Sequence, residues 1–248
     1  MALIEVRNLH KSFNGFQVLK GINLSVEKGE TTVILGKSGA GKSVLLKSII
    51  GLIKPDAGSI RIDGEEIALL HLKELNEMRK RMGYLFQGAA LYDSMSVREN
   101  LEFNLRKHAR LTDEEINEKV LEHLRLVGLE DAIDKMPAEL SGGMKKRIGL
   151  ARAIITNPEI MLYDEPTAGL DPMTSRDISY LILKLQQQFD MTAIAVTHDM
   201  ICTSIIADKV ALLANGIIKY EGTLSELKQI EDSEIQSFFF EEEISARG

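Results

Sequence analysis

Thr32, Val33, Ile34 and Leu35 form an unbroken β-branched and apolar run, the pattern of a strand buried on both faces of a parallel sheet. The residues ahead of it behave differently. Residues 2–9 and 16–26 alternate apolar with polar, which predicts half-exposed antiparallel strands, and Lys28-Gly29-Glu30 reads as the turn into the buried strand. Past the glycines at 36–41 a helix is predicted, with Gly51 as its C-cap, and Pro55-Asp56-Ala57-Gly58 is a strong turn into a strand over 59–63. Helical spacing returns over 71–82, with Leu72, Leu75 and Met78 on one face, and 83–86 reads as a short buried strand ending at Gln87.

From 88 to 158 the alternation of strands and helices stops. Residues 96–110, 112–127 and 141–157 all carry helical spacing, the second opening on the capping pattern Thr112-Asp113-Glu114-Glu115. Strands recur over 159–164, 192–197 and 209–214, alternating with helices. The expected fold is therefore α/β. Residues 1–87 and 159–230 form its core, with an N-terminal antiparallel β subdomain. A helical subdomain over 88–158 is inserted, and 231–248 form a C-terminal helix or tail. No internal repeat or low-complexity linker interrupts this plan.

Composition narrows the setting. The chain has 248 residues, 44% hydrophobic and 27% charged, as in an ordinary globular protein with a real core. A net charge of −7 argues against a general binder of nucleic-acid backbone. Cys202 is the single cysteine, which excludes an internal disulfide and fits a reducing compartment. Glu5, Arg7, His10 and Lys11 break up the first twenty residues, so no signal peptide is expected there, and no apolar run reaches membrane-spanning length. A cytosolic protein is expected, with any membrane association made through a partner.

The chemistry starts at Gly36, Lys37, Ser38, Gly39, Ala40, Gly41, Lys42 and Ser43, a complete match to G-x-x-x-x-G-K-[ST] between a strand and a helix. The glycines turn the backbone and bare its amides, and the helix start adds its positive end, a concave site sized for a triphosphate. Lys42 can reach the β- and γ-phosphates and the Ser43 hydroxyl can hold Mg²⁺, while Val44 continues the cofactor-binding stretch. A second apolar strand, 160–164, runs into Asp164 and Glu165. An acidic pair after a strand is often a solvated loop. With a P-loop upstream, Asp164 suits the Mg²⁺ water shell and Glu165 suits the base that orients the attacking water. Ser141 is an N-cap for a helix with Met144, Ile148, Ala151 and Ile155 on one face. Gly142 and Gly143 directly after it are poor helix formers, and their amides make a second phosphate site. Two half-sites for one kind of ligand imply a head-to-tail dimer, each nucleotide held between Lys42 of one copy and Ser141 of the other.

GKSGAGKS, Gln87, LSGGM, IMLYDEP, Ala168-Gly169-Leu170-Asp171 and His198 together resemble, in order and spacing, the ABC-type ATPase domains, over essentially the whole chain. The resemblance implies a P-loop NTPase fold with a RecA-like core. It also implies two domains sandwiching two ATP molecules with Mg²⁺, whose closure and hydrolysis move attached membrane subunits. By the same resemblance Phe13 stacks on adenine, although Tyr is commoner there. Gln87 joins Ser43 and Asp164 as a Mg²⁺ ligand and senses the γ-phosphate, His198 contacts that phosphate, and Asp171 acts across the dimer interface with Ser141, Gly142 and Gly143. The plainer alternatives are that Phe13 and Phe16 are core, and that His198 is a capping or surface residue. Met144 stands where most of the family has Gln, so a side-chain hydrogen bond to the partner's nucleotide is lost while the backbone contacts of Ser141 and Gly143 remain.

Residues 81–92 (RMGYLFQGAALY) and 136–144 (MPAELSGGM) are similar to the ATPase subunits of bacterial Mla/Mce-type lipid transporters, the MlaF-like group. That likeness implies transport of phospholipid or related lipid through a separate permease. The ATPase would sit at the cytoplasmic face of the bacterial inner membrane, with a permease helix docking on residues 87–95. It admits a small regulatory subunit and a periplasmic lipid-binding component, and involves no nucleic acid. The apolar loop 89–95 reads equally well as one folded back on the helical subdomain. Phe238-Phe239-Phe240 before Glu241-Glu242-Glu243 reads as the end of an amphipathic helix packed on its own core, or as a clamp on a neighbouring subunit. Two other classes stay open: a permease-free ATPase of the cluster-assembly kind, and a module that binds ATP without turnover, against which Glu165 and His198 stand.

Overall fold

The computed structural model describes residues 2–108, 111–232, 235, 236 and 239. In chain order the elements are β1 (Ala2–Phe13), β2 (Phe16–Glu27), β3 (Thr31–Leu35), α1 (Lys42–Ile49), β4 (Ala57–Ile62), β5 (Glu65–Glu66), α2 (Leu72–Lys80), β6 (Met82–Leu85), α3 (Val97–His108), α4 (Asp113–Val127) and α5 (Gly142–Ile154). They continue with β7 (Ile160–Asp164), α6 (Pro172–Phe189), β8 (Thr192–Thr197), α7 (Met200–Ile206), β9 (Lys209–Ala214), β10 (Ile217–Gly222) and α8 (Leu224–Lys228). The chain divides into two compact units, residues 1–68 with 195–248, and residues 69–194. It passes from the second unit back to the first within β8. This division is wider than the expected 88–158 insertion, because β6 and β7 pair with each other and α5 packs against β6.

In the first unit β2-β1-β4-β5 form an antiparallel sheet. β1 runs four residues beyond its predicted end. Asn14 and Gly15 both adopt left-handed backbone (φ 50° and 80°), so a two-residue turn joins Phe13 directly to Phe16. β4 also starts two residues early, at Ala57. β3, buried along its whole length, pairs parallel with β9, and β9 pairs antiparallel with β10 through a second left-handed pair, Asn215 and Gly216. After α1, Gly51 (φ 72°) donates to Ser48 O and Leu52 to Lys47 O, the C-cap read from the sequence. Leu35, Met200, Val210, Leu212, Leu227 and Ile235 form a cluster against which Phe239 packs, partly buried. Phe238, Phe240 and Glu241 to Glu243 lie outside the described residues, as does Arg110.

In the second unit β6 and β7 pair in parallel, Met82 with Ile160 through Leu85 with Tyr163. All five residues of β7 are buried. α4 begins as expected: Thr112 accepts from Glu115 N, and the Glu115 carboxylate accepts from Thr112 N. Leu72 departs from its expected place, being exposed while Met78 on the same helix is buried. Among the described residues no helix is long and apolar enough to cross a membrane.

Two glycines with like backbone separate conformation from space. Gly58 (φ 88°) lies so close to β1 that a Cβ would meet Asn8 O at 2.2 Å, whereas Gly64 (φ 81°) has nothing within 4 Å. Gly64→Ala should cost about 1 kcal/mol, the left-handed penalty alone, and Gly58→Ala about 3 kcal/mol, measured by urea unfolding. Equal losses would contradict the close approach.

Candidate active site

In the first unit, the loop after β3 is shaped by close approach at its two ends. A Cβ on Gly36 would fall 2.6 Å from Leu213 O, and one on Gly41 (φ 101°) would fall 2.9 Å from Val18 Cγ1. Gly39 (φ 80°) has open space and supplies conformation only. Gly41 caps α1, so Lys42 and Ser43 occupy its first turn. The Lys42 ammonium is buried and donates to Gly36 O at 2.7 Å and Lys37 O at 3.1 Å, which folds the cation onto the loop it serves. A cleft of about 280 Å³ opens beside the loop, walled by Lys37, Ser38, Gly39 and Ala40 together with Phe16, Val18 and the Asn215-Gly216 turn.

Phe13 and Phe16 flank the hairpin tip at 44% and 73% exposure, so neither is core. The Lys11 ammonium stands 5.3 Å from the Phe13 ring centroid. His198 is exposed between β8 and α7 and follows Thr197, whose carbonyl accepts from Gly36 N at 3.3 Å. The cap of α7 is Asp199, which accepts from Ile201 N and Cys202 N.

In the second unit β7 ends at a buried Asp164, whose Oδ2 accepts from the Tyr84 hydroxyl at 3.1 Å. Glu165, 8% exposed, has left-handed backbone (φ 49°), a break from the extended strand before it. Such a conformation costs a non-glycine residue about 1–3 kcal/mol and marks a position set by something other than local preference. Lys146 on α5 is 4% exposed. Its ammonium donates to Gln87 O and, at 3.0 Å, to Glu165 O. Burial pulls its pKa down to about 8, against the pull of the Glu165 and Asp164 carboxylates. Arg152 on the same helix donates to Ala89 O and Ala90 O at 2.8 Å each.

The loop beyond Gln87 is pinned to the helices. Ala89 is buried, and the Asn100 side chain donates to Tyr92 O, Met95 O and Ser96 O. The same loop also forms the rim of a cleft of about 400 Å³ lined by Tyr84, Phe86, Ala90, Tyr92 and Arg152. The reading in which the loop folds back on the helical subdomain is the one these contacts realise.

Ser141 is exposed and caps α5, accepting from Met144 N at 3.2 Å. Gly143 has a reason within its own unit, since a Cβ there would meet Thr174 Cγ2 at 2.8 Å; Gly142 is exposed and a Cβ would make only ordinary contact. Asp171 caps α6 through Met173 N and Thr174 N, and accepts from the Thr174 hydroxyl, which holds its carboxyl below the usual range. The first unit therefore carries Phe13, 36–44 and His198, and the second carries Gln87, Asp164, Glu165, Ser141, Gly142, Gly143 and Asp171. Tyr84 and Lys146 were missed as site residues. Lys145-Lys146-Arg147 looks like a solvated run, and only the spacing of Lys146, Gly149 and Arg152 by threes hinted at a buried stripe.

Comparison with known proteins bears on the same residues. The family described as "ABC transporter" matches residues 19–168. The chain is 45% identical over 210 residues to a probable ribonucleotide transport ATP-binding protein, Mkl, of Mycobacterium leprae, covering 85% of this chain but 60% of that one, so it spans about three fifths of that relative's length. It is 42% identical over 236 residues to the intermembrane phospholipid transport ATP-binding protein MlaF of Haemophilus influenzae, covering 95% of this chain and 89% of that one. Among solved structures, a dimeric post-hydrolysis ATP-binding cassette with ADP and Pi superposes with a TM-score of 0.82 at 33% identity, over 89% of this chain and 98% of that one.

Burial, and then the charge of Asp164 and the hydrogen bond to it, raise the Tyr84 pKa above its ordinary 10.0. Tyr84→Phe should leave the tyrosinate absorbance gained between roughly pH 9 and 11 unchanged, because Tyr84 keeps its proton there. A measurable loss of that signal in the variant would contradict the assignment. The unfolded chain releases this proton near its ordinary pKa and the folded chain retains it, so this residue makes stability fall as pH rises past 10.

Proposed function

Because the chain belongs to the ABC transporter family, we propose that it is the ATP-binding and ATP-hydrolysing subunit of a transporter, working as a pair of copies. It energises phospholipid or related lipid transport through a separate permease of the Mla/Mce type. The loop amides and Lys42 bind the phosphates, Phe13 stacks on adenine, and His198 meets the γ-phosphate. Ser141, Gly142, Gly143 and Asp171 serve the nucleotide of the partner copy, and Met144 forgoes a side-chain contact to it. Ser43, Gln87 and Asp164 offer a hydroxyl, an amide and a carboxylate. This all-oxygen set suits a hard divalent cation that keeps some of its waters. Bound there, Mg²⁺ would neutralise charge on the phosphates.

Turnover rests on one observation. Glu165 is kept buried in left-handed backbone directly after Asp164, the last residue of its strand, so the two adjacent carboxylates stand on different backbone and can serve a metal and a water separately. Lipid as cargo is supported by the likeness to MlaF, which runs nearly the full length of both chains. In this reading residues 87–95 receive a permease helix and 88–158 act as the helical signature subdomain. The protein sits peripherally at the cytoplasmic face of the bacterial inner membrane. A small regulatory subunit and a periplasmic lipid-binding component complete the set.

Glu165→Gln should lower ATP turnover by about 10²- to 10⁴-fold and accumulate an ATP-dependent dimer in sedimentation. Ser141→Arg in that background should abolish the dimer. Retained turnover would remove Glu165 as the base. Affinity capture from detergent-solubilised membranes should bring down a multispanning protein, and its absence would remove the permease.

A further inference from the structure

We propose that Lys146 is a positioning residue for hydrolysis, a buried staple that sets the main chain of Gln87 and Glu165 relative to each other. The inference rests on the roles given to those two residues above.

The register of β6 and β7 carries the case. The parallel ladder pairs Met82 with Ile160 and Leu85 with Tyr163, so the same offset sets Gln87 opposite Glu165, two steps past the last pair. There the ladder cannot continue, because Glu165 has turned into left-handed backbone. The Lys146 ammonium stands at this break and donates to both carbonyls, Gln87 O and Glu165 O. It links the two main chains just past the last pair of the ladder, where Glu165 O also accepts from Ala168 N. An ammonium has three donors and no acceptor, which suits it to joining two carbonyls.

A packing residue would not need the charge. Burying an ammonium is costly, and an apolar side chain of similar length would fill the space without that cost. The position along the chain also matters. Lys146 lies five residues after Ser141 on α5, about 7.5 Å along the helix axis. The helix whose start serves the partner's nucleotide thus holds, little more than one turn further on, the residue that senses the γ-phosphate and the residue that activates water. A shift of α5 reaches both through one side chain.

The test uses steady-state kinetics of the full chain with Mg·ATP. Lys146→Met removes the donors and should lower kcat by about 10- to 100-fold with KM for ATP within about threefold of native, the signature of misplaced groups, not lost binding. Lys146→Gln returns two donors on a shorter side chain and should recover part of the loss, leaving kcat about 3- to 10-fold below native with KM unmoved. Combined with Glu165→Gln, the Met substitution should add less than about threefold, since the group it positions is already disabled. A native kcat in the Met variant, or a rise in KM larger than the fall in kcat, overturns the proposal. Should the Met variant fail to fold, Lys146→Gln decides, and a native kcat there overturns it equally. Glu165→Gln in the native background separates the two levels. If it stops turnover and traps the dimer while both Lys146 variants behave as native, only the staple is lost. If it leaves turnover intact, the assignment of Glu165 fails, and the staple with it.

Discussion

A strand buried on both faces has nowhere to put a charge except at its end. β3 and β7 are buried along their whole length, so every charged group that the chain brings to their C-terminal ends must be reconciled with a dry surround. The structure meets this constraint twice in the same way, by giving a buried lysine main-chain carbonyls as partners. Lys42 donates to Gly36 O and Lys37 O, and Lys146 donates to Gln87 O and Glu165 O. A carbonyl partner stabilises an ammonium without neutralising it. Each lysine thereby ties down the main chain at the end of its strand.

The helix starts follow a related economy. Ser141 and Asp171 each cap their own helix, and the two helices approach so closely that Gly143 has no room for a side chain beside Thr174. The sequence reading assigned Gly142 and Gly143 alike to phosphate contact. The structure distinguishes them: Gly143 is required by packing whatever else it does, while Gly142 is exposed and has no packing reason of its own. A motif that looks uniform in sequence therefore combines a structural demand with a surface that is open to a second molecule.

What was legible in the sequence was what local chemistry decides. The loop 36–43, the capping box at Thr112 and the Schellman turn at Gly51 depend on residues within a few positions of one another, and they stand where they were expected. Features set by partners distant in sequence were not legible. β1 ran on to Phe13 because the Asn14-Gly15 turn lets β2 begin at once, and the periodicity of residues 2–9 alone carries no trace of that pairing. Leu72 has the spacing of a core position yet is exposed, since a stripe shows which residues share a face and not how much of that face is covered. Lys146 was hidden for the converse reason. It sits in a cationic run, where its spacing from Gly149 and Arg152 is a faint signal and the fold shows it buried.

The same stripe explains the shape of the loop after Gln87. Ala89 and Ala90 both have left-handed backbone (φ 61° and 49°), a combination costing about 1–2 kcal/mol per residue. Nothing in the loop's own sequence compels it. α5 imposes it from outside: Gly149 allows Ala89 to come so close that a Cβ there would lie 3.0 Å away, and Arg152 grips both alanine carbonyls. Lys146, Gly149 and Arg152 together bind residues 87–90 to the helix along two turns. Tyr92 and Ala90, on the rim of the adjoining cleft, are attached to the same body as the Gln87 main chain. Anything that seats in that cleft and displaces its rim must therefore carry α5 with it or break the Arg152 hydrogen bonds to Ala89 O and Ala90 O.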